Sequence, residues 1–248
     1  MFPVLFRIGD FSIHAYGVLL ALAFAVGIFG LGRSARKAGL PEEKMFDMSL
    51  WIMVAAVFGS RLLYILIKWP VYVADPWAVF AVRSGGLSFH GGLAGGILAG
   101  LWYTHRHRLP QGKIADLVAP YVALGYAMVR IGCLLNGCCF GRPTAMPWAL
   151  PVAYMDPTLR HPTQLYAFLA MLFIFLFLLY RKQHTRFHGQ LFLEFIVYYS
   201  VYRFFVEFYR ETDVFLGVLT LGQASSLVVA VGAFVAIRIW PLGRRERA

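Results

Sequence analysis

Residues 13–32 read IHAYGVLLALAFAVGIFGLG, and Arg33, Arg36 and Lys37 follow almost at once. Twenty residues without Lys, Arg, Asp or Glu are what a helix needs to cross the hydrocarbon of a bilayer, and a basic cluster at one end holds that end in the cytoplasm. A cleavable leader would have a basic start, a shorter apolar stretch and small residues behind it. Here Arg7 is the one basic residue before the run, and the Ala21-Leu22-Ala23 triplet lies inside it, so the run reads as an uncleaved first span.

Six further apolar runs follow at 48–67, 87–104, 115–135, 163–180, 190–209 and 217–240. The chain of 248 residues is 60% apolar and 14% charged, with a mean hydropathy of +0.66. A soluble domain carries about 25% charged residues. Composition therefore excludes a disordered chain and an ordinary soluble enzyme. It predicts an all-α, polytopic integral membrane protein of seven transmembrane helices, forming one domain over 1–248.

The net charge of +11 would point to nucleic acid in a soluble protein, but its distribution does not. Fourteen of the 23 Lys and Arg fall in four segments, 33–44, 105–113, 181–188 and 238–248. The alternate segments hold six: Arg7, Lys68, Arg83, Arg142, Arg160 and Arg210. This is the positive-inside pattern, with the N-terminus outside and the C-terminus cytoplasmic. It predicts no nucleic-acid partner.

Two extracytoplasmic segments stand out. Residues 68–86 mix Trp69-Pro70, Asp75-Pro76-Trp77 and Ser84-Gly85-Gly86, which suits an interfacial element with aromatic anchors. Residues 136–162 hold five prolines and little periodicity, which suits a small head folded over a site. The third span carries glycines at four-residue spacing: Gly91 with Gly95, and Gly92 with Gly96 and Gly100. Close helix contact in lipid explains most of them. Backbone approach to a ligand is a sharper alternative for the pair beside His90.

Charges inside apolar runs are the main functional signal. A central arginine costs at least about 2.5–3.5 kcal/mol, so it faces the bundle interior or water. Arg61, Arg130, Arg203, Glu194 and Glu207 are such residues. Arg203 and Glu207 are spaced i,i+4 and Glu207 and Arg210 i,i+3, so internal pairing is one explanation. Arg130 has no acid within a turn of its own run, which points to a partner elsewhere or to a ligand. Guanidinium binds phosphate through two parallel hydrogen bonds. Several such groups near the outer end would make an anion pocket open to lipid, whose ready anion is a phospholipid headgroup. Tyr199, Arg203 and Glu207 share one face of the sixth run.

His90 is a candidate proton acceptor, by its pKa range, or a water-facing cap. Tyr16 is a candidate donor to an anion or a belt anchor. Cys133, Cys138 and Cys139 leave three readings open: a disulfide, a zinc site with His90, or plain buried thiols.

The stretch Arg130-Ile-Gly-Cys-Leu-Leu-Asn-Gly-Cys-Cys-Phe-Gly-Arg142 resembles the signature of the prolipoprotein diacylglyceryl transferase family, approximately G-R-x-G-N-F-x-N-G-E-x-x-G-R. Arg130, Gly132, Asn136, Gly137, Gly141 and Arg142 match. His14-Ala15-Tyr16-Gly17, Gly59-Ser60-Arg61-Leu62, Ser88-Phe89-His90-Gly91-Gly92, His161-Pro162-Thr163-Gln164-Leu165-Tyr166 and Arg203-Phe-Phe-Val-Glu207-Phe-Tyr-Arg210 match further, in family order along nearly the whole chain.

The resemblance implies a multi-pass enzyme of the bacterial inner membrane that begins lipoprotein maturation. It would move the diacylglyceryl group of phosphatidylglycerol to the lipobox cysteine thiol of a prolipoprotein and release glycerol phosphate. Arg130 and Arg203 would hold the phosphate, and His90 would take the thiol proton. Tyr16 and Tyr199 would bind the headgroup; Asn136, Glu207 and Arg210 would support the pocket, and Gly141 would allow close passage of backbone or lipid. No metal or dissociable cofactor is implied.

Cys133 stands where the signature has Asn, Cys138 where it has Glu, Val129 where it has Gly, and Ala167 where Glu is common. Three rivals remain: a paralogous lipid-modifying transferase with another acceptor, a lipid or anion transporter (though inverted repeats are not visible), and a thiol–quinone oxidoreductase using Cys138 and Cys139.

Overall fold

The computed structural model describes residues 2–9, 11–75, 77, 79, 85–153 and 156–240. Eight helices dominate it: α1 (Ala15–Lys37), α2 (Glu42–Ile67), α3 (Trp69–Ala74), α4 (Phe89–Arg106), α5 (Gln111–Leu135), α6 (Thr163–Arg181), α7 (Gln190–Val206) and α8 (Leu221–Ile239). A helix occupies each of the seven apolar runs, with ends shifted by a few residues. α2, for example, starts six residues early, because Glu42 and Glu43 favour the positive end of the helix dipole.

Among the described residues five helical stretches are long and apolar enough to cross a membrane by length and composition: 15–37, 42–67, 111–135, 163–184 and 221–239. α4 is diluted by Gly91, Gly92, Gly95, Gly96 and Gly100, and α7 has 17 residues, with Glu194 and Arg203 among them. The protein is thus a mostly helical polytopic membrane protein.

The helices carry the fold, as an all-α membrane protein requires, and short hairpins accompany them. Among the described residues three antiparallel hairpins occur, β1 (Val4–Ile8) with β2 (Phe11–His14) ahead of α1, β3 (Leu150–Ala153) with β4 (Asp156–Arg160) between α5 and α6, and β5 (Val214–Leu216) with β6 (Leu219–Thr220) between α7 and α8. Strands of two to five residues are too short to leave a period-2 pattern in the sequence.

The chain divides into two compact units, residues 32–111 and residues 1–31 with 112–248. In the smaller unit α2 and α4 pack backbone to backbone. A Cβ on Gly59 would stand 2.5 Å from the Gly91 carbonyl oxygen, and one on Gly95 would strike the Ala55 carbonyl. Gly92 faces Ser60 Oγ in the same contact. The pair beside His90 is therefore occupied by helix packing, the commoner reading of such a stripe. Gly95→Val is expected to lower the thermal unfolding midpoint in detergent, because overpacking costs about 1–3 kcal/mol. Gly96→Ala, whose Cβ would meet Ile52 at an ordinary 3.5 Å, is expected to leave it unchanged.

The same unit explains Arg61. It is 8% exposed, and donates Nε to the Val79 carbonyl at 3.0 Å and Nη1 to those of Gly85 and Gly86 at 2.8 and 3.0 Å. Its guanidinium also lies over the Tyr72 ring. Arg61 thus ties the segment after α3 to α2. Of the predicted interfacial element, Pro76, Arg83 and Ser84 lie outside the described residues.

In the larger unit the core joins Ala119, Ala123 and Ala127 of α5 to Met171, Ile174 and Leu178 of α6 and to Leu191 and Phe195 of α7. Small residues on α5 admit the larger side chains of its neighbours. α8 packs along α7 and opens with a capping box, in which Thr220 Oγ1 accepts from the Gln223 amide and Gln223 Oε1 from the Thr220 amide.

Candidate functional site

The site is built on α7, whose placement begins at its N-terminal end. The first amides of a helix lack internal partners. Here Asp116 of α5 supplies them, accepting from the Gly189 amide at 2.7 Å and the Phe192 amide at 3.0 Å. Gly189 takes φ +100°, which lets the chain turn into the helix beside Gly112. One turn on, Glu194 accepts from Arg181 at 2.7 Å and from Gln190 at 2.8 Å. Glu194 is therefore neutralised within the protein, by an arginine that the sequence placed in the basic 181–188 segment.

At the opposite end of the same unit the predicted residues converge. Arg130 of α5 donates Nη2 to the Tyr126 hydroxyl one turn back, with its guanidinium 4.6 Å from that ring's centroid. Among the described residues no carboxylate lies within ion-pair reach of Arg130. The Tyr126 ring meets Tyr199 of α7 edge-on at 5.6 Å. Tyr199 and Tyr202 both lie in the field of Arg130 and of Arg203, so the two arginines face one tyrosine-lined region. Tyr16 enters from α1, packed against Gly132, and feels the charge of Arg130 and of the cysteine group.

Arg203 and Glu207 form a close ion pair along α7 and the 3-10 turn that follows it, and Arg210 Nε stands 3.7 Å from the same carboxylate. Glu207 is 2% exposed. One buried carboxylate thus serves two guanidiniums, and with Arg130 the region keeps an excess of positive charge. Gly222 of α8 makes room for the pair, since a Cβ there would lie 2.7 Å from Glu207 Oε1 and 3.1 Å from Arg203 Nη2.

The segment 136–162 folds beside these groups. The Gly141 amide donates to the His161 carbonyl and the Arg142 amide to the Tyr209 carbonyl, at 2.9 and 2.8 Å. A Cβ at Gly141 would collide with that Tyr209 carbonyl, so the glycine permits a close backbone crossing. Arg142 Nε donates to the Arg210 carbonyl, and Arg160 bridges the Gly141 carbonyl and Glu211. Asn136 is exposed, just past the end of α5, with its amide bonded to the Gly132 carbonyl and its side chain to Cys138. At the start of α6, Thr163 Oγ1 donates to the Cys139 carbonyl at 2.6 Å and Gln164 Nε2 to that of Cys138 at 2.5 Å.

All three cysteines are free thiols, and their sulfurs lie within 4.8 Å of one another. The disulfide reading therefore does not describe this structure. Cys139 is pulled down to about 5, first by the hydrogen bond from the Cys133 thiol and further by the charges of Arg130 and Arg210. Burial pushes Cys138 up.

Tyr16, Arg130, Asn136, Gly141, Tyr199, Arg203, Glu207 and Arg210 all belong to one compact unit. His90 belongs to the other; it is the second residue of α4, exposed, with its ring beside Phe89. Sequence reasoning missed Tyr126 and Tyr202, although Tyr126 sits at the i,i+4 spacing that pairs it with Arg130. It also gave no role to Gly222 or Gln164, whose contacts come from distant elements. An open apolar groove of about 310 Å³ runs past Tyr202 between α6 and α7, lined by Phe173, Phe177, Tyr198 and Val201.

Fold and site together define a helical membrane protein in which arginines and tyrosines of α5 and α7 gather in one region. The family model for prolipoprotein diacylglyceryl transferase matches residues 3–239. Among curated proteins, a phosphatidylglycerol–prolipoprotein diacylglyceryl transferase of Aeromonas hydrophila is 35% identical over 99% of this chain and 92% of its own length. Proteins of the same name from Bordetella parapertussis and Geobacter sulfurreducens are 38% and 37% identical, over 89% and 90% of this chain and 86% and 89% of theirs. The chain belongs to the prolipoprotein diacylglyceryl transferase family.

Proposed function

We propose that this protein transfers the diacylglyceryl group of phosphatidylglycerol to the lipobox cysteine of a prolipoprotein. The observation that carries the reading is the surplus of guanidinium in the Arg130–Arg203–Arg210 region, where Glu207 is the one carboxylate in ion-pair contact among the described residues. Two arginines from different helices suit a phosphodiester, whose oxygens accept forked hydrogen bonds. The apolar groove beside Tyr202 suits an acyl chain.

In the reaction the cysteine thiolate attacks the glyceryl carbon that carries the phosphoester oxygen. A C–S bond forms as the C–O bond breaks, and the electron pair leaves on glycerol phosphate. Arg130 and Arg203 offset the charge that grows on the departing phosphate, a preorganised electrostatic role. Tyr16 and Tyr199 donate to the headgroup, Asn136 and Gly141 shape the pocket wall, and Glu207 with Arg210 holds Arg203 in place. His90 takes the thiol proton, because the thiolate is the competent nucleophile.

In this reading α4 and α7 complete seven spans, with the N-terminus outside and the basic segments in the cytoplasm of a bacterial cell, so that the pocket opens to the outer leaflet of the inner membrane. The whole chain acts as one transferase domain, and nucleic acid is not a partner.

The test is incubation of the full-length protein in phosphatidylglycerol liposomes with a lipobox peptide, read by mass. A gain of one diacylglyceryl unit on the cysteine, absent when that cysteine is serine, is expected. An unmodified peptide alongside bound phosphatidylglycerol would favour lipid binding without transfer.

A further inference from the structure

The three thiols have no assigned part in the transfer, yet the fold brings them together with care. Cys133 is in the last turn of α5, and Cys138 and Cys139 lie in the loop that follows. The Cys138 amide donates back to the Cys133 carbonyl at 3.1 Å, and Cys138 Sγ lies 3.6 Å from that oxygen. Thr163 and Gln164 of α6 hold the Cys139 and Cys138 carbonyls from the other side. Within this clamp Cys139 takes φ +68°, a left-handed conformation that costs a non-glycine residue on the order of 1 kcal/mol or more and persists where surrounding structure enforces it. The Cys138 and Cys139 sulfurs are 3.7 Å apart, and all three lie within 4.8 Å of one another.

That spacing fits a metal ion. Three sulfurs each ~2.3 Å from one ion stand about 3.8–4.0 Å apart in tetrahedral or trigonal geometry. Side-chain rotation of less than about 1 Å at each sulfur closes the remaining difference. The donor set is all sulfur, which selects thiophilic ions over magnesium or calcium. Cys139 is exposed, so an ion has a route in and a fourth ligand position stays open to solvent. Arg130 and Arg210 supply positive charge near the cluster, which offsets the charge of three thiolates.

We propose that Cys133, Cys138 and Cys139 form a trithiolate site for a thiophilic cation of the zinc class, with one coordination position left open. Occupancy ties the 138–139 loop to the end of α5. Two of the ligands stand where the family signature carries Asn and Glu, so the site belongs to this chain's departure from that signature. It shares the charge of Arg130 and Arg210 with the proposed transfer, but its metal binding can be read without any transfer assay.

The test uses the full-length protein in detergent, reduced and freed of reductant, with Co(II) as the probe. One equivalent of Co(II) is expected to give thiolate-to-cobalt charge-transfer absorption, and one equivalent of Zn(II) to abolish it. Zn(II) is also expected to protect all three thiols from alkylation. Cys133→Ser and Cys138→Ser should each weaken Co(II) binding by more than the ~10-fold that loss of an outer hydrogen-bond partner costs. An unchanged thermal midpoint in these variants shows that the fold survives. Where the midpoint falls, thiol protection by Zn(II) in the wild-type protein decides the matter. Free thiols that give no such absorption, or absorption that survives serine at both 138 and 139, would overturn the proposal.

Discussion

Replacing Arg130 with alanine is expected to lower diacylglyceryl transfer to a lipobox peptide by roughly 10²–10³-fold, the loss seen when one preorganised donor to a developing anion is removed. Arg130 has a tyrosine hydroxyl and a tyrosine face as its partners and no carboxylate among the described residues, so its charge is available to a ligand. Lysine at 130 should restore only part of the rate, because an ammonium keeps the charge but not the planar fork. The variant should still unfold near the wild-type midpoint, since what it loses is an exchange with Tyr126 worth about 1 kcal/mol. Transfer by Arg130→Ala at the wild-type rate would remove Arg130 from the phosphate-binding role.

Glu207→Ala is expected to have the largest effect on stability. The carboxylate is 2% exposed and accepts from Arg203 while standing 3.7 Å from Arg210. Removing one member of a buried ion pair leaves uncompensated charge at a cost of about 3–5 kcal/mol. Here two guanidiniums, those of Arg203 and Arg210, are left behind. A clear fall in the thermal midpoint in detergent is expected, together with loss of transfer. Glu207→Gln, which keeps the shape and one acceptor oxygen, should lose less stability. An unchanged midpoint in Glu207→Ala would mean that solvent or lipid, and not Glu207, compensates Arg203.

Arg203 shows how far pattern reading carries. Its spacing from Glu207 stated both possibilities, internal pairing or a ligand, and the structure contains the pair. The functional case therefore rests less on Arg203 alone than on the imbalance of three arginines with one carboxylate. That imbalance is invisible in sequence, because Arg130 and Arg210 are 80 positions apart and only the packing of α5 against α6 and α7 gathers them. Arg61 went the other way. As a charge in an apolar run it resembled Arg130, yet backbone carbonyls of a loop 18 to 25 residues on absorb its donors. A sequence lists the charge; it cannot say which distant oxygens come within 3 Å of it.

Hydropathy and charge placement, which are local sums, determined the membrane setting and the seven helical runs without reference to any contact. Helix ends were accessible to within a few residues for the same reason, since dipole and capping effects act within a turn. Three things were left to tertiary structure: that Glu207 is shared, that Gly91 and Gly92 serve helix packing, and that three cysteines spread over seven residues meet at one point. Each depends on atoms brought together from separate elements, and that proximity comes from packing and backbone geometry such as the left-handed turn at Cys139, which no local pattern encodes.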